Sequence, residues 1–204
     1  MNDLVIIGAG GHGKVIADIA CRAGYTGIVF LDDNNQNRTC GEFPVVGSSA
    51  DAARYSNADF VVAIGDGRVR KMLHRRLQAM NCRLVTLIHP SATVASHVTL
   101  GAGTVVMAGA VINPYAQIGE GCIINTCASV DHDCSIGAFS HVAVGAHIAG
   151  SVTTGEHTWV GAGAVIRNNT QIVSDCVIGM GAAVVKNITE PGTYIGVPAR
   201  KIEE

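Results

Sequence analysis

Val94-Ala-Ser-His-Val-Thr99, Leu100-Gly-Ala-Gly-Thr-Val105, Val106-Met-Ala-Gly-Ala-Val111, Ile112-Asn-Pro-Tyr-Ala-Gln117 and Ile118-Gly-Glu-Gly-Cys-Ile123 are successive hexads of one repeat. The repeat runs on without an insertion to the hexad that opens at Val184. Of its sixteen first positions fifteen are Val, Ile or Leu, and the sixteenth is Thr154. Four residues after each stands a small or β-branched residue, from Val98, Thr104 and Ala110 to Ala182; only the last, Ile188, is bulky. A strict period of six fits neither an α-helix nor a heptad coil. It is the pattern of a β-solenoid, in which aliphatic residues point inward from flat faces and small ones fill the narrow interior. Three hexads close one triangular coil, so residues eighteen apart stack. Cys122, Cys134 and Cys176 fall on filler positions and are expected to pack inward, with no redox or metal role.

Composition agrees with thin repeated layers: 25 glycines in 204 residues and only 4% aromatics. With 48% hydrophobic and 15% charged residues the chain is not of the disordered class. A net charge of −2 gives no footprint for nucleic acid or an anionic membrane. No apolar run is long enough to span a bilayer. The start, Met1-Asn-Asp-Leu-Val-Ile-Ile7, lacks a basic leader and reads as a buried strand. Seven cysteines without CxxC spacing support neither a disulfide framework nor a zinc cluster, so a cytoplasmic protein is expected.

Ahead of the repeat, Leu4–Ile7 is a short apolar strand followed by Gly8-Ala-Gly10-Gly11-His12-Gly13. Val15, Ile16 and Ile19 then mark a helix that stops near Gly24. Ile28–Leu31 is a second strand ending in Asp32-Asp33, and Phe60–Ile64 a third ending in Gly65-Asp66. Val69, Leu73, Leu77 and Met80 mark a second helix, and Arg83–Leu87 a fourth strand. This is a β-α-β pattern with a dinucleotide-type glycine fingerprint. It is too short for a dehydrogenase, which points from NAD to another phosphorylated nucleotide at the helix N-terminus. Arg68, Arg70, Lys71, Arg75 and Arg76 read as a solvated helix face. The expected organisation is an α/β domain over 1–86, a solenoid over 87–188 and a tail over 189–204.

The whole chain resembles one branch of the hexapeptide-repeat acyltransferases, the sugar acetyltransferases with a short Rossmann-like domain before a left-handed parallel β-helix. The resemblance rests on Gly8 to Gly13, Leu31-Asp32-Asp33, Ala63-Ile-Gly65, Leu87-Ile-His-Pro90, Asn125-Thr126, Ser129-Val-Asp-His-Asp133, Ser140-His141 and Gly196-Val-Pro-Ala199. It implies a homotrimer that uses acetyl-CoA and no metal. It makes His132 the general base, with Asp133 tuning it. His141 is implied to contact the coenzyme of a neighbouring site, with Ala162 and Met180 along it in later coils. Gly10, Gly11 and His12 match positions that hold a sugar nucleotide's phosphates, and Asp32, Asp33 and Gly65 those near its base and ribose. Asn125 is placed to orient the sugar.

The residues themselves add to this. Thioester aminolysis needs a base free near neutral pH, and His132 lies between Asp131 and Asp133. Eighteen residues on stands Gly150, which leaves room for the thioester and a backbone N–H for the oxyanion. His132 and His141 lie half a coil apart, so they can share a site only across a trimer interface. His74, His89, His97, His147 and His157 read as surface or packing residues. The acceptor expected is a UDP-linked 4-amino-4,6-dideoxy sugar of the bacillosamine type. The alternatives are O-acetylation of a sialic acid, a zinc hydratase built on His141, His147 and His157, and a non-enzymatic sugar-nucleotide sensor. The hydratase lacks the required H-x4-H pair in register with a third histidine.

Overall fold

A computed structural model describes residues 3–34 and 38–203. Met1 and Asn2, read from sequence as part of the opening strand segment, and Glu204 of the expected tail lie outside them. The chain forms two compact units, Met1–Pro90 and Ser91–Glu204. The division falls a little beyond the expected position after residue 86.

The first unit has strands β1 (Asp3–Ile7), β2 (Gly27–Leu31), β3 (Thr39–Cys40), β4 (Phe43–Gly47), β5 (Asp59–Val62) and β6 (Arg83–Leu84). Its helices are α1 (Gly11–Arg22) and α2 (Gly67–Ala79), with a 3-10 helix at Ser49–Tyr55. The sheet order is β3-β4-β2-β1-β5-β6, parallel except for the β3–β4 hairpin. Leu4, Val5, Ile6 and Ile7 are all buried, as in a parallel strand covered on both faces. β1 lies between β2 and β5, so the chain reverses direction across the sheet there. Gly8 and Ala63–Gly65 follow the ends of β1 and β5, at the switch point where such sheets form their ligand crevice. A side chain at Gly13 would collide with the Gly8 carbonyl and the Phe30 ring, so glycine lets α1 close onto the sheet.

Three features differ from the sequence reading. The β3–β4 hairpin and the 3-10 helix were not anticipated, because their segment lacks a long alternating run. Val15 and Val69 are exposed while Ile16, Ile19, Leu73 and Leu77 make the buried helix stripes. Arg70 is not solvated: its side chain is among the largest fully buried ones, at 1% exposure.

The second unit is a three-faced parallel β-helix. Up to Val165–Ile166 the hexads give two-residue strands that pair with the strand eighteen residues on, as in Val111 with Ser129 and Ser129 with His147. The inward positions from Val106 to Val184 and the fillers from Ala110 to Ala182 form one continuous core. Each large aliphatic residue there contributes roughly 1.5–3 kcal/mol when fully buried. Cys122, Cys134 and Cys176 are inside it, their thiols donating to backbone carbonyls, and burial raises the pKa values of Cys134 and Cys176. The turns repeat as strictly as the strands. Every sixth residue from His97 to Gly181 has a positive φ, and nine of these fifteen are not glycine. The expected tail is partly solenoid: Gly192–Ile195 pairs with Cys176–Ile178 and then with Arg200–Lys201.

Candidate active site

His132 occupies the corner between the strands Ser129–Val130 and Ser135–Ile136. The next residue, Asp133, takes the left-handed conformation at φ 58°. Aspartate is one of the few residues that tolerate it. In this turn the Asp133 carboxylate meets the ring, with Nδ1 of His132 2.8 Å from Oδ2. The hydrogen bond to Asp133, followed by the Asp131 and Asp133 charges, raises the histidine's pKa. Asp131 has a different task. Its Oδ1 accepts from the backbone N–H of His132 at 2.8 Å and from Asn113 Nδ2 at 2.8 Å. Those bonds hold its pKa low and fasten the corner to the preceding coil. The sequence placed both acids beside the histidine; geometry gives the ring to Asp133.

Gly150 lies under the ring, as stacking by eighteen requires. A Cβ on Gly150 would stand 2.6 Å from both Cε1 and Nε2 of His132. The space that the sequence reserved for a thioester is therefore filled by the imidazole itself. Among the described residues nothing accepts from the Gly150 N–H, which stays available as a donor. A neutral imidazole with Nδ1–H on Asp133 leaves Nε2 able to accept a proton. Exchanging Asp133 for asparagine removes the group that raises the pKa. With His132 as the base, the acidic limb of the pH–rate profile is then expected to move to lower pH. A limb at unchanged pH in Asp133→Asn means another group titrates there.

His141 sits on another face, in the ladder Ile123, His141, Trp159 and Val177. Asn125 Nδ2 is 3.0 Å from His141 Nε2, and Asn125 Oδ1 accepts from Thr126 N–H. Asn125, expected to orient the sugar, thus makes its side-chain contact with His141. Trp159, one coil on, stacks on His141 at 5.3 Å and is 45% exposed. Counting eighteen onward from His141 would have found it. At the next corner the N–H groups of Val144, Ala162 and Met180 have no acceptor among the described residues. They make a column of donors eighteen residues apart, and Met180 is 83% exposed.

In the first unit, Gly10 is the N-cap of α1 and brings no side-chain cap. Gly10, Gly11 and Gly65 have open space where a Cβ would point. The first N–H groups of α1 therefore face a roomy site fit for a phosphate. His12 stands in this first turn. Burial and the Arg70 charge lower its pKa to about 4, so it is neutral at physiological pH and offers one N–H, not a positive charge. Its Nε2 is buried without a hydrogen-bond partner among the described residues. Arg70, which the sequence reading missed, donates to the carbonyls of Ile64 and Gly65 at 2.7 and 2.8 Å. Asp32 accepts from Ala9 N–H in the glycine turn and from Asn34 N–H, and Asp33 is taken up by Ser49. The two acids shape the loops around the site.

His147 pairs with Ser129, and His157 packs on Phe139 near Asp175. Among the described residues no three His, Cys, Asp or Glu side chains are grouped to hold a metal ion. No helix described is long and apolar enough to cross a membrane.

Residues 3–77 match the family model of the PglD N-terminal domain. Over 113 residues the chain is 38% identical to the UDP-N-acetylbacillosamine N-acetyltransferase of Bacillus subtilis, covering 53% of this chain and 52% of that one. The match spans about half the length of the curated relatives. Solved structures align over nearly everything. The acetyltransferase domain of PglB from Neisseria gonorrhoeae, in complex with acetyl coenzyme A, is 40% identical with a TM-score of 0.96, over 99% of this chain and 100% of that one. PerB from Caulobacter crescentus, in complex with CoA and GDP-perosamine, is 37% identical with a TM-score of 0.95, over 100% and 98%. With an open, uncapped helix N-terminus in the first unit, a histidine–aspartate pair on a solenoid corner, and likeness along both units, the chain belongs to the hexapeptide-repeat, left-handed β-helix family of sugar N-acetyltransferases.

Proposed function

We propose that this protein transfers the acetyl group of acetyl-CoA to the amine of a nucleotide-linked 4-amino sugar, with a UDP-linked 4-amino-4,6-dideoxy sugar of the bacillosamine type as acceptor. The observation that carries the reading is the His132–Asp133 pair seated on Gly150. The sugar amine attacks the thioester carbonyl, and its proton passes to Nε2 of His132. The N–C bond forms, the C–S bond breaks, and the proton is handed to the departing thiolate. Asp133 stabilises the transient imidazolium, and the Gly150 N–H donates to the oxyanion.

The coenzyme lies along the N–H groups of Val144, Ala162 and Met180, and His141, held by Asn125 and Trp159, contacts it from a neighbouring subunit. Three copies are needed, because one solenoid offers a single wall of that cleft and keeps His132 and His141 on separate faces. The nucleotide's diphosphate lies at the N-terminus of α1, on Gly10 and Gly11 and the N–H of His12. Asp32, Asp33 and Gly65 border its base and ribose. Acetyl-CoA and nucleotide sugars are cytoplasmic metabolites, and the reading carries that location with it.

The test is coenzyme A release against a panel of UDP-, GDP- and dTDP-linked 4-amino sugars and sialic acids. Fast turnover confined to a UDP-4-amino sugar is the expected result. Turnover of sialic acid alone would replace the reading with O-acetylation, and release with a GDP-linked sugar alone would move the acceptor to the perosamine class.

A further inference from the structure

Tyr115 and His97 stand at the same solenoid corner as His132, one and two coils earlier. The left-handed positions of this corner are His97, Tyr115, Asp133, Ser151 and Asn169, each eighteen residues from the next. Tyr115 is thus the residue stacked before Asp133, at one inter-strand spacing of about 4.8 Å. The Pro114 carbonyl accepts from the Asp133 N–H, so the two turns are tied together.

The choice of residue is costly. Tyrosine holds this left-handed turn position at φ 64°, as bulky Phe139 and His157 do at theirs, where glycine, asparagine or aspartate is at ease. Nor does burial repay it, since Tyr115 is 59% exposed. Its ring lies flat against that of His97, centroids 5.1 Å apart and planes 3° from parallel. The pair is a fixed, outward aromatic surface beside the base. Strain retained at an exposed position next to a reacting group points to a ligand.

Position along the axis says which ligand. The Gly150 donor lies one coil after His132, and the coenzyme column of Ala162 and Met180 continues in that direction. The thioester therefore comes from the later coils, and the earlier-coil side of the imidazole is left to the other reactant. That side is Tyr115 and His97. A 6-deoxy pyranose has an apolar C–H face of the kind that settles on an aromatic ring.

We propose that the Tyr115–His97 stack is a sugar platform, on which Tyr115 carries the apolar face of the acceptor pyranose and so sets its amine against His132. The proposal rests on the functional reading above and adds a residue that determines acceptor specificity.

Tyr115→Asn is the informative substitution, because asparagine accepts the left-handed turn. It is expected to leave the melting temperature unchanged or higher while raising KM for the acceptor by roughly 5–100-fold, the range of a lost stacking contact. KM for acetyl-CoA and the acidic limb of the pH–rate profile should stay where they are. Tyr115→Phe should restore the acceptor KM. A purely structural role would lower stability and move both KM values. In parallel, NMR of the panel sugars bound to the whole protein should show their ring C–H protons shifted upfield in wild type and not in Tyr115→Asn. An unchanged acceptor KM in Tyr115→Asn overturns the platform, as does its loss of oligomerisation with acceptor KM intact. The absence of an upfield shift with every sugar of the panel overturns it whatever the turnover. Turnover of no amino sugar, with the upfield shift present, overturns the acetyl-transfer reading and leaves the platform standing.

Discussion

His132→Ala is expected to slow acetyl transfer by roughly 10²–10⁴, the usual contribution of a positioned general base. The loss should appear in kcat, with the affinity for acetyl-CoA nearly intact, because the column of donors proposed for the coenzyme, Val144, Ala162 and Met180, lies at another corner. The side chain is 56% exposed and anchored by Asp133 through Nδ1, so its removal should leave the core and the melting temperature alone. The substitution also separates two readings of the raised pKa. A base assisted by a carboxylate loses its acidic limb altogether when the ring is deleted. A histidine that merely decorates the corner loses nothing but a hydrogen bond. Near-wild-type turnover of the true acceptor by His132→Ala would remove the base from the mechanism.

How far the sequence carried this is clearest residue by residue. The period of six determined the solenoid because each inward position must be apolar and each filler small, so chemistry and geometry repeat together. It also placed His132 over Gly150, since residues eighteen apart can only stack. What the period did not reveal was which atoms fill the stacked space. A glycine under a histidine reads equally as room for a substrate or as a seat for the ring, and only the 2.6 Å approach decides. The same limit hid the Asn125–His141 contact, which joins residues sixteen apart, off the stacking column. Arg70 was misread for another reason. A basic residue among basic neighbours on a helix looks solvated, and nothing local announces that two carbonyls of the β5 loop will receive its guanidinium. In the first unit the glycines were legible because a tight turn and an open helix N-terminus both exclude side chains. The roles of Asp32 and Asp33 were not, because a carboxylate that binds a ligand and one that holds a loop have the same spelling.

Gly150→Ala should inactivate the protein almost as thoroughly as deletion of the base, with little change in stability. Its φ lies outside the left-handed range, so alanine meets no backbone penalty. The added methyl meets the imidazole of His132 first, at 2.6 Å from two ring atoms. Such a distance is far inside van der Waals contact, and the exposed ring is the part free to yield. It must swing off the glycine, and a base displaced by about an ångström can lose some 10²-fold in rate. The expected loss in kcat is therefore roughly 10²–10³, with the Gly150 N–H donor still in place. The double variant distinguishes this from damage to the oxyanion site. If the methyl acts through the imidazole, Gly150→Ala in a His132→Ala background costs almost nothing further, because there is no ring left to displace. If instead the methyl obstructs the thioester, the two losses multiply and KM for acetyl-CoA rises. Full activity of Gly150→Ala would show that the working position of His132 is away from the glycine.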